Sequence, residues 1–390
     1  MAFVVGAVLG GFLLTGCAVI VPGTHDDAPT PSVTMSASVS VDTVLATRAD
    51  AIVRRDGAGM RATQAPGASA GVRDLPARLA ELPLTEWTYV IESDEVGPSV
   101  GERTVTAVLH YRLSADPSDV TARRRLILSA VAGWRIVTDE PVGAALPWDL
   151  GVVHAVSGEQ SDVLSVGAPA DLSAAADDAA RAVSEVWGTR WRRNPVLVTV
   201  PGPAGLAALT GRPLAGVTGL VAVATTDRVY VDTAAYTALD PAGRQVLLTH
   251  EVTHLATVAG ADRATPQWLK EGFADYVGFL HSGIGVDVAA STLLARVRRQ
   301  GPPASAPDDA SFSPGSGTEI LAQAYAGAWL FCVLLAQRDG QAALVAVYRE
   351  TASGSGSEQA NVDAALRKVT GRTLAAWTTA WAQDLNRRAV

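Results

Sequence analysis

His250, Glu251 and His254 stand in the run His250-Glu251-Val252-Thr253-His254. On a helix over residues 241–258, positions four apart share a face, so both imidazoles reach toward one point. Two neutral imidazoles placed this way make half of a zinc site. Glu251 follows His250 directly, and its side chain swings around the helix axis to stand beside a metal, within reach of a proton on water. The chemistry this pattern describes is metal-assisted hydrolysis.

A helix must hold that pattern still, and the flanking residues supply one. Gln245-Val246-Leu247-Leu248-Thr249 before it and Leu255-Ala256-Thr257-Val258 after it are the apolar flanks of a helix buried in a core. Asp240-Pro241 gives an N-cap acid followed by a proline at the first helical position. Thr265-Pro266 repeats the start signal, and a second helix is expected from there to about His281. Upstream, Gly219–Ala224 and Arg228–Asp232 read as two strands joined by Thr225-Thr226-Asp227.

The pair formed by HEVTH and Trp268-Leu269-Lys270-Glu271-Gly272-Phe273-Ala274-Asp275-Tyr276 resembles the gluzincin metallopeptidases of the peptidase MA group. Their third zinc ligand is a Glu on the next helix, and Glu271 is the matching residue. Asp275, one turn later, matches the carboxylate that often orients the first His ligand. Sixteen residues separate His254 from Glu271, somewhat fewer than in the best-known members. The resemblance further implies that the upstream hairpin lends its edge to a peptide substrate, with a plain sheet edge as the alternative. It also implies that Tyr325, in Gln323-Ala324-Tyr325-Ala326-Gly327, donates its hydroxyl to an oxyanion, with a core aromatic as the alternative. His281 lies ten residues past Glu271, roughly 15 Å along a helix, too far for a fourth ligand.

At the amino end, Leu14-Thr15-Gly16-Cys17 closes the apolar run from Phe3 and resembles a bacterial lipobox. Residues 1–17 are then a signal peptide, with Cys17 carrying the lipid, although no Lys or Arg precedes the apolar run. The competing reading is a plain transmembrane anchor over Phe3–Val21. Either way the chain is expected at the cell membrane, on its extracytoplasmic face. Residues 18–40 read as a disordered tether. Cys332, within the apolar stretch Leu321–Ala336, is left without a partner and reads as a small core residue.

The 390 residues, 48% hydrophobic and 18% charged, suffice for two domains. A net charge of −8 excludes a nucleic-acid partner, since no stretch concentrates Lys and Arg enough to track phosphates. Arg123-Arg124-Arg125, the densest basic run, reads as a solvated edge. Residues 41–141 predict an amphipathic helix over Val41–Arg55, a loop over Gly57–Gly71, and strands at Trp87–Glu92, Thr104–Leu113, Arg124–Val131 and Gly133–Val137. This order resembles the NTF2-like domains of exported actinobacterial proteins, and no convergent polar set stands out in it, so it reads as a spacer or interaction module. His110 in its second strand reads as a pleat-face residue. Residues 142–160 read as a linker in which His154 has no evident partner.

The remainder, 161–390, is expected to be a mainly helical zincin-type domain with a small sheet, and the whole chain α+β. The long Gly301–Gly317 segment reads as a loop beside the site. The function these readings support is zinc-dependent cleavage of a peptide or protein substrate by a membrane-tethered lipoprotein. The alternative is a non-catalytic lipoprotein binding module with a structural zinc.

Overall fold

A computed structural model of the chain describes residues 40–131, 133–192 and 194–390. The expected signal peptide, its candidate lipidation residue Cys17 and nearly all of the expected tether lie outside the described residues.

The first unit is built on a helix, Val41–Val53, whose N-cap Ser40 accepts the Thr43 amide. It buries Val41, Val44, Leu45, Ala49 and Ile52 against four antiparallel strands. These are β1 (Leu84–Val96), β2 (Glu102–Leu113), β3 (Val120–Ser129) and β4 (Arg135–Pro141), in that spatial order. Along β2 the side chains alternate, with Val105, Ala107, Leu109, Tyr111 and Leu113 buried, as one covered face requires. Register shifts at Glu92 in β1 and at Val137 in β4 are bulges that bend the ladder. Gly57–Gly71, expected as loop, instead contains a helix over Gly57–Ala62, because the Asp56 carboxylate caps the Ala58 and Gly59 amides.

The second sheet has five strands: β5 (Val153–Ser157), β6 (Asp162–Val166), β7 (Val196–Val200), β8 (Ala222–Ala224) and β9 (Val229–Asp232). Their order is β5-β6-β7-β9-β8, with β6, β7 and β9 parallel and antiparallel strands at both edges. The segment 142–160 is therefore ordered structure as well as connection. It holds a helical turn, Pro147–Leu150, and the edge strand β5. Trp148 from that turn stacks at 5.3 Å from Trp87 and 5.0 Å from Tyr111. His154 also has a partner, Glu81 Oε1 at 2.9 Å.

Those three aromatics join Val153, Val196, Val198 and Val223 in one hydrophobic cluster, so the two sheets share a core. Arg124 departs from its expected solvated edge. It is buried, donating to Asp139 Oδ1 at 2.8 Å and to both carboxylate oxygens of Asp149 at 2.7 and 2.8 Å, which fastens β3 to β4 and to the Trp148 turn. Burying a guanidinium requires such pairing.

Helices build the rest. Ser173–Trp187, Pro241–Thr257, Gln267–Phe279, Thr318–Asp339 and Gln341–Ala352 surround a second core that contains Val252, Phe273, Phe331 and Tyr348. Thr318–Asp339 is long and apolar enough to cross a membrane, yet most of its apolar stretch is buried in this core, Cys332 included. Two further helices, Glu358–Thr370 and Leu374–Ala389, close the chain.

Candidate metal centre

The helix Pro241–Thr257 begins as its sequence dictates: Asp240 accepts the Gly243 amide at 2.7 Å and Pro241 takes the first position. It is buried along its second half, from Val246 to Ala256. Its end is strained, since Val258 caps it in the left-handed region at φ 54°, a conformation that branched side chains avoid. Helix Gln267–Phe279 crosses it, and Gly272 brings the helix Thr318–Asp339 in close. A Cβ at Gly272 would stand 2.4 Å from the Ala328 carbonyl oxygen.

This packing brings together residues expected from sequence. His254 Nε2 lies 2.9 Å from His250 Nε2. Glu271 Oε2 lies 3.1 Å from His250 Nε2 and 3.4 Å from His254 Nε2, and it makes no hydrogen bond. His250 Nδ1 is engaged by Asp275 Oδ1 at 2.8 Å, which leaves Nε2 facing the cluster. The ligand atoms of His250, His254 and Glu271 all fall within 4.8 Å of one another, and all three residues are buried.

Positive charge has to sit among these atoms. Burial opposes charge on His250, but Asp275 and Glu271 outweigh it and push the imidazole up to about 10. Burial likewise would raise Glu271, and His254 with His250 pull it down to about 2. Two imidazole nitrogens and a carboxylate oxygen otherwise left without a donor are the N/O donor set that zinc takes, so the residues fit that ion.

Glu251 stands beside the cluster. Its Oε2 accepts the Ala224 amide at 2.7 Å, while Oε1 is buried with no partner. Burial raises its pKa, partly offset by the two imidazoles. The Tyr325 ring lies 6.3 Å from that of His250, with its hydroxyl buried and unbonded. Burial and the carboxylates of Glu271, Asp275 and Glu251 hold that phenol well above its ordinary value. His281 is elsewhere, exposed and 3.8 Å from Glu185. His110 lies in β2, between Thr88 and Thr121.

Sequence reasoning missed two supports. Gln267 donates to Glu271 Oε1 at 2.6 Å from one turn earlier, a spacing that was readable once Glu271 was placed. The Ala224 amide on Glu251 left no signal, because a backbone donor has no residue type.

No protein-family model matches the chain, and no curated protein sequence matches it. Among solved structures the chain is similar to a mutant M1 zinc metallopeptidase from Deinococcus radiodurans, at 16% identity and TM-score 0.37, covering 77% of this chain and 61% of that one. It is similar to a mutant from the same organism bound to a Tyr-Ser-Ala substrate, at 16% identity and TM-score 0.36, covering 77% and 61%. The M1 zinc metallopeptidase from that organism also matches, at 17% identity and TM-score 0.37, covering 73% and 61%. The chain spans about three-fifths of the length of these proteins. The functional reading stands on the geometry of the site.

Proposed function

We propose that the chain is a zinc-dependent peptide hydrolase, held at the extracytoplasmic face of the membrane by a lipid on Cys17. The convergence of His250, His254 and Glu271 ligand atoms within 4.8 Å, with Glu251 alongside, carries the hydrolase reading. The tether rests on Leu14-Thr15-Gly16-Cys17.

His250, His254 and Glu271 would hold the metal. Zinc bound there supplies a Lewis acid that acidifies water and polarises a carbonyl. The chain's own groups perform the remaining work. Glu251, steadied through Oε2, has Oε1 left to take the proton of an attacking water and hand it to the leaving amine. Its burial strengthens it as a base relative to an exposed Glu. Asp275 keeps His250 in one orientation. Tyr325 keeps its proton at neutral pH and can donate it to a developing oxyanion. β8 ends its sheet, and an extended peptide can add there as a further strand.

The test is Glu251→Gln, assayed for metal content and for cleavage of a mixed peptide library. One zinc per chain should remain while hydrolysis falls about a hundred- to ten-thousandfold. Cleavage that survives the change overturns the mechanism. A zinc-loaded wild-type chain that cleaves no peptide would leave the non-catalytic binding module instead.

A further inference from the structure

The turn between β8 and β9 touches the site at one end and the first unit at the other. Ala224, which closes β8, is the residue whose amide holds Glu251. Four residues on, Arg228 grips Asp116 of the β2–β3 turn with two parallel bonds, Nη1 to Oδ1 at 2.7 Å and Nη2 to Oδ2 at 2.8 Å. Arg192 adds a third, Nη2 to Oδ1 at 2.6 Å, while its Nη1 donates to the Asp227 carbonyl at 2.9 Å. The Asp116 side chain is 0% exposed and that of Arg228 only 3%.

There is little slack along this path. Asp116 is itself fixed by the Leu113 amide on Oδ2 at 2.9 Å. Within the turn, Thr225 N donates to the Arg228 carbonyl at 2.8 Å and Arg228 N donates to Thr225 Oγ1 at 3.2 Å. Beneath it, Trp87 and Tyr111 of the first unit pack in one cluster with Val196, Val198 and Val223 of the second sheet. Buried ion pairs give little net stability over apolar packing, and a two-pronged Arg–carboxylate pair chiefly fixes geometry.

We propose that Asp116 is a positioning residue for the active site, acting through Arg228 and Arg192. It fixes the β8–β9 turn so that the Ala224 amide meets Glu251 and the β8 edge lies where a peptide pairs. The first unit is then a brace for catalysis rather than a spacer. The catalytic consequence rests on the hydrolase reading above, whereas the bracing does not.

The test uses the zinc-loaded full chain carrying Asp116→Asn, which keeps the shape and removes the charge. Amide hydrogen exchange over residues 222–229 should quicken at least about tenfold while helices 241–257 and 267–279 keep their protection. Zinc content should hold, KM for a peptide should rise several-fold as the β8 edge loosens, and kcat should fall alongside it as Glu251 loses its fixed amide. A merely structural role would lower only the active fraction, leaving KM unchanged however far apparent kcat falls. Unchanged exchange in 222–229, exchange quickened uniformly over the chain, or unchanged KM would each overturn the proposal. Should Asp116→Asn fail to fold, Arg228→Lys reads the same quantities with the positive charge kept and the two-pronged grip removed. If the wild-type chain cleaves no peptide, the hydrolase reading falls, and the exchange measurement still decides whether the brace exists.

Discussion

At His250, on the proposed zinc reading, a proton and a metal would compete for one imidazole. Its ordinary pKa is 6.5, and Asp275 and Glu271 overcome the effect of burial and push it up to about 10. The shift is upward, so at pH 7 the folded chain holds this proton, and a ligand imidazole must be neutral. Zinc binding at pH 7 should therefore release about one proton per metal from this residue. Calorimetric titration with zinc in two buffers of different ionisation enthalpy measures it, and binding enthalpies that do not depend on the buffer would contradict it. At this scale much was legible. The spacing of His250 and His254 dictates one helix face, and the four residues from Glu271 to Asp275 dictate another, so pattern implied proximity. Arg124 and Asp116 were illegible for the opposite reason. Each is buried by partners far along the chain, Asp149 for one and Arg228 for the other, and nothing beside either residue in sequence announces that.

Among the elements, the crossing of the Glu271 helix and the Tyr325 helix decides whether the site exists. Gly272 is the residue that permits it, and it sits directly beside Glu271. Gly272→Ala would drive a methyl into the Ala328 backbone, and because the obstruction is main chain, the helices must part. The change should cost about 1–3 kcal/mol of stability and weaken zinc binding as Glu271 moves outward. Melting with and without zinc, together with competition against a chelator, checks both. An alanine variant as stable and as tight as wild type would refute the close approach. The helix starts were readable because capping is local: Asp240-Pro241 predicted the first residue of its helix. Boundaries set by tertiary partners were not. β5 is a strand because β6 lies beside it, and its own five residues, Val153 to Ser157, carry too short an alternation to declare it.

For the molecule as a whole, the decisive feature is that the boundary between the two units runs through a shared core. Trp87, Tyr111, Leu113 and Trp148 close the floor under Val153, Leu164, Val196 and Val198. A chain lacking residues 1–141 would expose that floor to water and strip Arg228 of the Asp116 carboxylate. Such a chain should lose cooperative unfolding and bind a hydrophobic dye such as ANS, where the full chain should melt in one step. A truncated protein with a sharp transition would show the units to be independent.

The placement of β8 carries one more consequence. Its outer rim offers main-chain donors and acceptors, which recognise any backbone that arrives fully extended and say little about sequence. A polypeptide engages such a rim only by giving up its own helices or strands over several residues. Under the hydrolase function proposed above, compactly folded proteins should resist cleavage, while extended tails and unfolded segments should be the better substrates.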